Sequence, residues 1–166
     1  MSNIYLVGFM GTGKTATGRA LAKSLKRDFI DMDDLIVERE GMPVADIFKI
    51  KGESYFRSAE KDIVAELSKR DGLVVACGGG AFVDPDNIRL MRSSGIVICL
   101  TSSPEMILKR TQNFTHRPLL NVEDPLARIK ELLDKRMPFY SQAHHIIDCD
   151  KLSVEESVSE VLRCLK

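Results

Sequence analysis

The sequence predicts an α/β domain built around a parallel sheet, and three observations carry that prediction. Short apolar runs alternate with segments of helical periodicity along the chain, the pattern of strands joined by crossover helices. The runs are nearly continuous in apolar residues, as strands covered on both faces are. Helix starts are signposted by Asp84-Pro85, Ser103-Pro104 and Asp124-Pro125, each a capping side chain before a proline suited to the first turn. At 166 residues the chain suits one continuous core, so a single domain over 1–166 is expected.

Five strands are expected in order: Ile4–Val7, a short one near Phe29–Asp31, Leu73–Cys77, Ile96–Leu100 and His145–Cys149. A helix passes through Leu35-Ile36-Val37. Another runs from about Glu53 to Arg70, with Phe56, Ile63 and Leu67 at helical spacing and Arg57 and Glu60 rotated off that line. Glu60, one turn beyond Arg57, either pairs with it or is a surface charge. Ser153-Val154-Glu155-Glu156 fits a capping box opening the last helix. Between two helix signals, Thr111–Glu123 is polar and without periodicity, which reads as a lid or binding loop.

Composition narrows the function classes. Lys plus Arg and Asp plus Glu balance at 24 each, which removes the electrostatic footprint of a nucleic-acid or membrane-surface binder. No apolar run approaches the ~20 residues of a membrane span. Cys77, Cys99, Cys149 and Cys164 are scattered, without the spacing of a zinc site or disulfide framework, and read as small core residues. The chain enters Ile4-Tyr5-Leu6-Val7 at once, without a signal-peptide pattern, so a cytoplasmic location is expected. A monomer is expected because no apolar face is left unexplained.

Gly8-Phe9-Met10-Gly11-Thr12-Gly13-Lys14-Thr15 matches the Walker A pattern between an apolar strand and a helix. Its glycines let backbone wrap phosphate oxygens, Lys14 supplies charge and Thr15 can ligate Mg²⁺. Asp31-Met32-Asp33-Asp34 closes the second strand at the sheet edge where ligands bind in this class. Strand alternation would aim Asp31 and Asp33 into one site. Asp33 or Asp34 is alternatively the helix N-cap, the preferred reading for Asp34.

Cys77-Gly78-Gly79-Gly80-Ala81 follows the third strand. Three glycines favour close backbone approach to a ligand over a single turn demanding positive φ. They stand where a Walker B aspartate would ordinarily be, which makes Asp31 the candidate metal-side carboxylate. Arg117, in the polar stretch, is placed to close over a γ-phosphate, whereas Arg57 and Arg136 carry no local signal.

GFMGTGKT, DMDD, Gly52-Glu53-Ser54-Tyr55-Phe56-Arg57, CGGGA, Arg117-Pro118-Leu119-Leu120 and Lys135-Arg136-Met137-Pro138-Phe139-Tyr140, taken in order, closely resemble the shikimate kinase family, from about Ile4 to Leu152. The resemblance implies a three-layer P-loop kinase fold with a mobile lid, and transfer of the ATP γ-phosphoryl group to the 3-hydroxyl of shikimate, with Mg²⁺. It implies that Arg57, Arg136 and the Gly78-Gly79-Gly80 backbone hold shikimate while Asp33 accepts from its hydroxyls and orients or deprotonates the nucleophile. It assigns Gly11, Thr12, Gly13, Lys14 and Thr15 to the phosphates, Thr15 and Asp31 to the metal, and Arg117 to the lid contact. Arg110 would stack on adenine and Lys151 lie in the adenine loop. One departure is Gln112-Asn113-Phe114 in place of lid glycines.

Overall fold

The computed structural model describes residues 1–112 and 120–166. Along the chain come β1 (Asn3–Val7), α1 (Lys14–Leu25), β2 (Phe29–Asp31), α2 (Met32–Glu40), α3 (Val44–Lys51), α4 (Glu53–Leu67) and β3 (Val74–Ala76). A 3₁₀ turn at Ala81–Val83 leads to α5 (Pro85–Ser94), β4 (Gly95–Thr101), α6 (Pro104–Thr111), α7 (Pro125–Tyr140), β5 (His145–Asp148) and α8 (Val154–Cys164). The strands form one sheet in the order β2-β3-β1-β4-β5, and every pairing is parallel.

Strand periodicity divides the core in two. Ile4, Leu6, Val74, Ile98 and Leu100 pack with Leu21 of α1 and Val158 and Val161 of α8. Their neighbours Tyr5, Val7, Val75, Val97 and Cys99 face the other way, onto α4, α5 and α7 through Ile63, Met91 and Ile129. Successive side chains point to opposite faces of a strand; with helices on both sides, both sets are apolar, which explains the continuous runs. The P-loop kinase architecture expected from the resemblance is thus present, with helices on both faces of a five-stranded sheet.

The expected caps are in place. Asp84, Ser103 and Asp124 accept from backbone N–H groups of α5, α6 and α7, and Ser153 and Glu156 form the capping box of α8. Other boundaries shift for identifiable reasons. β3 starts one residue late because the Leu73 N–H donates to the Asn3 side chain rather than to a ladder. β5 stops at Asp148, whose carboxylate accepts from the Asp150 N–H and turns the chain. Cys77, Cys99 and Cys149 are buried, as expected of core residues. The lid expected at 111–123 begins as helix, since Thr111 closes α6 with its hydroxyl donating to Ile107 O at 2.7 Å. Its residues 113–119, including His116 and Arg117, lie outside the described residues. No described helix is long and apolar enough to cross a membrane.

Candidate active site

All strands deliver their carboxyl ends to one edge of the sheet, and β1 there runs directly into the glycine-rich loop. Gly8 has φ 134°, and a Cβ on it would collide with the backbone carbonyl of Leu100 on β4, so only glycine fits. Gly13 caps α1 in the left-handed region without a side-chain bond, leaving the first N–H groups of the helix open to an anion. The Lys14 ammonium reaches back over the loop, donating to Gly8 O and Phe9 O at 2.8 Å each. Thr12 is buried and donates to Phe9 O, so its side chain braces the loop from behind. Arg110, from α6, donates to Gly11 O and to Ser102 Oγ, both at 3.2 Å, and thereby ties α6 to the loop. Lys151 is exposed in the turn after β5 and does not border the cavity.

The aspartates are arranged differently from the strand alternation inferred above. β2 ends at Asp31 and α2 starts at the next residue, so Asp31 itself is the N-cap, its carboxylate accepting from Asp33 N and Asp34 N. Neither Asp33 nor Asp34 caps; both lie in the first helical turn. The other oxygen of Asp31 accepts from the Thr15 hydroxyl at 2.6 Å. Two hard oxygen donors side by side suit a Mg²⁺ ion, which takes one or two protein ligands and completes its shell with water and phosphate. Among the described residues no cluster of three or more His, Cys, Asp or Glu forms a closed metal cage.

Opposite the loop, α4 contributes Arg57 and Glu60, three residues apart and on one helix face. Arg57 Nη1 donates to Glu60 Oε1 at 2.6 Å, and its other nitrogen lies 3.5 Å from Glu53. Glu60 is no surface charge: only 1% of it is exposed. Burial pushes its carboxyl up to about 7 against the opposing pull of Arg57, with the nearby charge of Asp33 adding to the rise. Arg136, on α7, is buried with its guanidinium 5.2 Å from the Phe9 ring centroid. Its Nη1 has no hydrogen-bond partner among the described residues, and such a buried donor is costly unless something supplies the acceptor.

The three glycines separate these groups. None of Gly78, Gly79 and Gly80 has a positive φ; the Ala81 N–H closes a turn on Gly78 O at 3.0 Å, but it is not a turn that demands positive φ. A Cβ at Gly78 would meet the carboxylates of Glu60 and Asp33, and one at Gly80 the guanidinium of Arg57. Gly79 lies nearest Arg136 and Met10, and its carbonyl accepts from the Tyr140 hydroxyl, whose pKa burial raises to about 12.

Together these elements enclose a cavity of about 780 Å³, bordered by Lys14, Asp31, Asp33, Arg57, Arg110 and Arg136. Gly79 and Gly80 border it too, but Gly78 does not. Sequence reasoning missed the apolar wall formed by Val44 and Phe48 of α3 with Phe56 of α4, the two phenylalanine rings packing 5.0 Å apart. The signal that marks α3 is punctuation, Pro43 before it and Gly52 after it.

A Walker A loop at the head of a parallel sheet, facing a cavity bordered by Arg57, Arg110 and Arg136, defines the class: a P-loop phosphotransferase fold. The chain belongs to the shikimate kinase family, whose model matches residues 10–166. It is 47% identical to the shikimate kinase of Caldanaerobacter subterraneus subsp. tengcongensis, over 98% of this chain and 95% of that one. A structure of shikimate kinase from Acinetobacter baumannii in complex with shikimate superposes with a TM-score of 0.96 at 38% identity, covering 99% of this chain and 93% of the other. The Aquifex aeolicus shikimate kinase structure gives 0.87 at 35% identity, covering 98% and 95%.

Proposed function

We propose that this chain transfers the γ-phosphoryl group of ATP to the 3-hydroxyl of shikimate, giving shikimate 3-phosphate and ADP, a step toward chorismate and the aromatic amino acids. The observation that supports the acceptor most is the buried Arg136 Nη1, which has no hydrogen-bond partner among the described residues and borders a cavity shared with Arg57. Planar guanidinium forks bind a carboxylate through paired N–H groups, and shikimate brings a carboxylate and three hydroxyls. Asp33 accepts from the ring hydroxyls and orients, or takes the proton of, the one that attacks. Gly79 offers backbone polar groups beside them.

On the donor side the α1 N-terminus and the loop amides hold the phosphates. Lys14 exchanges its bonds to Gly8 O and Phe9 O for phosphate oxygens, and Arg110 flanks the base. Thr15 and Asp31 would hold Mg²⁺, which supplies charge neutralisation across the β- and γ-phosphates. Phosphoryl transfer passes through a loose transition state that asks mainly for alignment and charge stabilisation. Lys14 and the lid arginine Arg117 therefore contribute more to turnover than proton removal by Asp33. The chain works as a single-domain monomer in the cytoplasm, with no nucleic-acid or membrane partner.

The test is ADP release with Mg²⁺ and ATP across a panel of shikimate, gluconate and nucleoside monophosphates. Turnover of ~1–100 s⁻¹ with shikimate alone is expected. A preference for another acceptor moves the assignment, and nucleotide binding without turnover on any acceptor makes the chain a binding module.

A further inference from the structure

We infer that Gly78 and Gly80 are positioning residues, whose missing side chains create the space in which the Glu60 carboxylate and the Arg57 guanidinium stand. The inference rests on the function proposed above, because it concerns the fork that receives the acceptor's carboxylate. Backbone geometry does not explain the glycines: neither has a positive φ, and Gly80, at φ −98° and ψ 0°, sits in the bridge region that L-residues occupy at the third position of type I turns. Direct ligand contact does not explain Gly78 either, since it does not border the cavity.

What a methyl group would strike is specific. At Gly80 the three nearest heavy atoms all belong to the Arg57 guanidinium, and at Gly78 all three belong to the carboxylates of Glu60 and Asp33. No backbone atom is among them. A clash with the far end of a side chain is relieved by moving that end, so substitution would displace the functional heads and leave the sheet in place.

The two positions differ in where the displaced group can go. Arg57 keeps 29% of its side chain exposed and has Glu53 beside it, so it can swing outward and leave the fork. Glu60 is 1% exposed and has no such exit. Gly80→Ala is therefore expected to act on acceptor binding, and Gly78→Ala on folding as well. Gly79→Ala would be milder, because its Cβ would lie 3.4 Å from Arg136 Nη1, without overlap.

The experiment compares the full chain with Gly80→Ala, Arg57→Ala and the double variant. It measures KM for shikimate, kcat, affinity for a fluorescent ADP analogue, and melting temperature. Gly80→Ala is expected to raise KM about tenfold to hundredfold, the loss of a charged hydrogen-bonded contact, with ADP-analogue affinity unchanged. In the Arg57→Ala background it should add nothing to KM. There it should also raise or leave the melting temperature, since alanine restricts the unfolded chain where no clash remains. An unchanged KM in Gly80→Ala, or penalties that multiply in the double variant, overturns the inference.

If Gly80→Ala alone does not fold, recovery of folding in the double variant supports the inference, and failure of both overturns it. Wild-type turnover tests the proposed function separately: should shikimate not react, the coupling between positions 57 and 80 is still read from the melting temperatures.

Discussion

The two halves that the proposed function assigns to the cavity are built by different means. The nucleotide half is almost all local: one strand, one loop and one helix start, Gly8 to Thr15, with bonds formed by backbone and by a lysine from the same loop. The acceptor half is assembled from side chains on separate elements: Asp33 on α2, Arg57 and Glu60 on α4, Arg136 on α7. Local construction suits the phosphates, the part that all nucleoside triphosphates share. Distributed construction is what allows the acceptor to be specific, because each side chain is set independently against the same small molecule.

If the halves are separable, substitutions in one should leave the other's affinity alone. The largest effect is expected at Lys14→Met. Removing a preorganised charge at the transferring phosphate should lower kcat about 10²–10³-fold while KM for shikimate stays near wild type. A comparable rise in that KM would mean that the halves are coupled through the loop. Next comes Arg136→Ala, which deletes the buried donor of the acceptor half and should raise KM for shikimate about tenfold to hundredfold. ADP affinity, measured by calorimetry, should not move; a parallel loss there would dissolve the distinction.

Asp31 sits on the border between the halves. It caps α2 with one oxygen and accepts from Thr15 with the other. Asparagine also caps helices well, so Asp31→Asn should preserve the fold while raising the Mg²⁺ concentration for half-maximal rate about tenfold. A Mg²⁺ titration that matches wild type would remove Asp31 from the metal site.

The smallest effect on turnover, and a clear one on stability, belongs to Glu60. Its carboxyl titrates near 7 in the native state against 4.5 for an ordinary glutamate. Between those values the native state holds a proton that the unfolded chain has released, so stability falls as pH rises through that window. The slope amounts to about 3 kcal/mol over the whole interval, and it should flatten in Glu60→Gln. Chemical denaturation at pH about 5 and about 8 measures it; equal slopes in both proteins would show that Glu60 is charged throughout.

The same contrast explains what could be read without coordinates. The five strands, the caps at Asp84, Ser103, Asp124 and Ser153 and the phosphate loop follow from neighbours in sequence, so pattern and spacing locate them. The sequence puts Asp31 and Asp33 in one site at the sheet edge, and both border the cavity; the reason is not strand alternation, because helix follows strand without a linking residue, which makes Asp31 the cap. Glu60 lies off the apolar line of α4, yet it is buried, because that second face looks into the site and is covered at the exit of β3. α3 escaped notice because eight residues span barely two turns, too few for a period to show. Arg136 has no local signal at all. Its meaning comes from Phe9, Gly79 and Arg57, more than 50 residues away in sequence, and only the family resemblance pointed to it.

Phosphorus NMR of a reaction containing the purified chain, Mg²⁺, ATP and shikimate tests the central claim most directly. A new monoester signal coupled to the proton on carbon 3 of the shikimate ring, growing in step with ADP, is the expected result. ADP accompanied only by inorganic phosphate, or a phosphate ester on a different hydroxyl or acceptor, would contradict it.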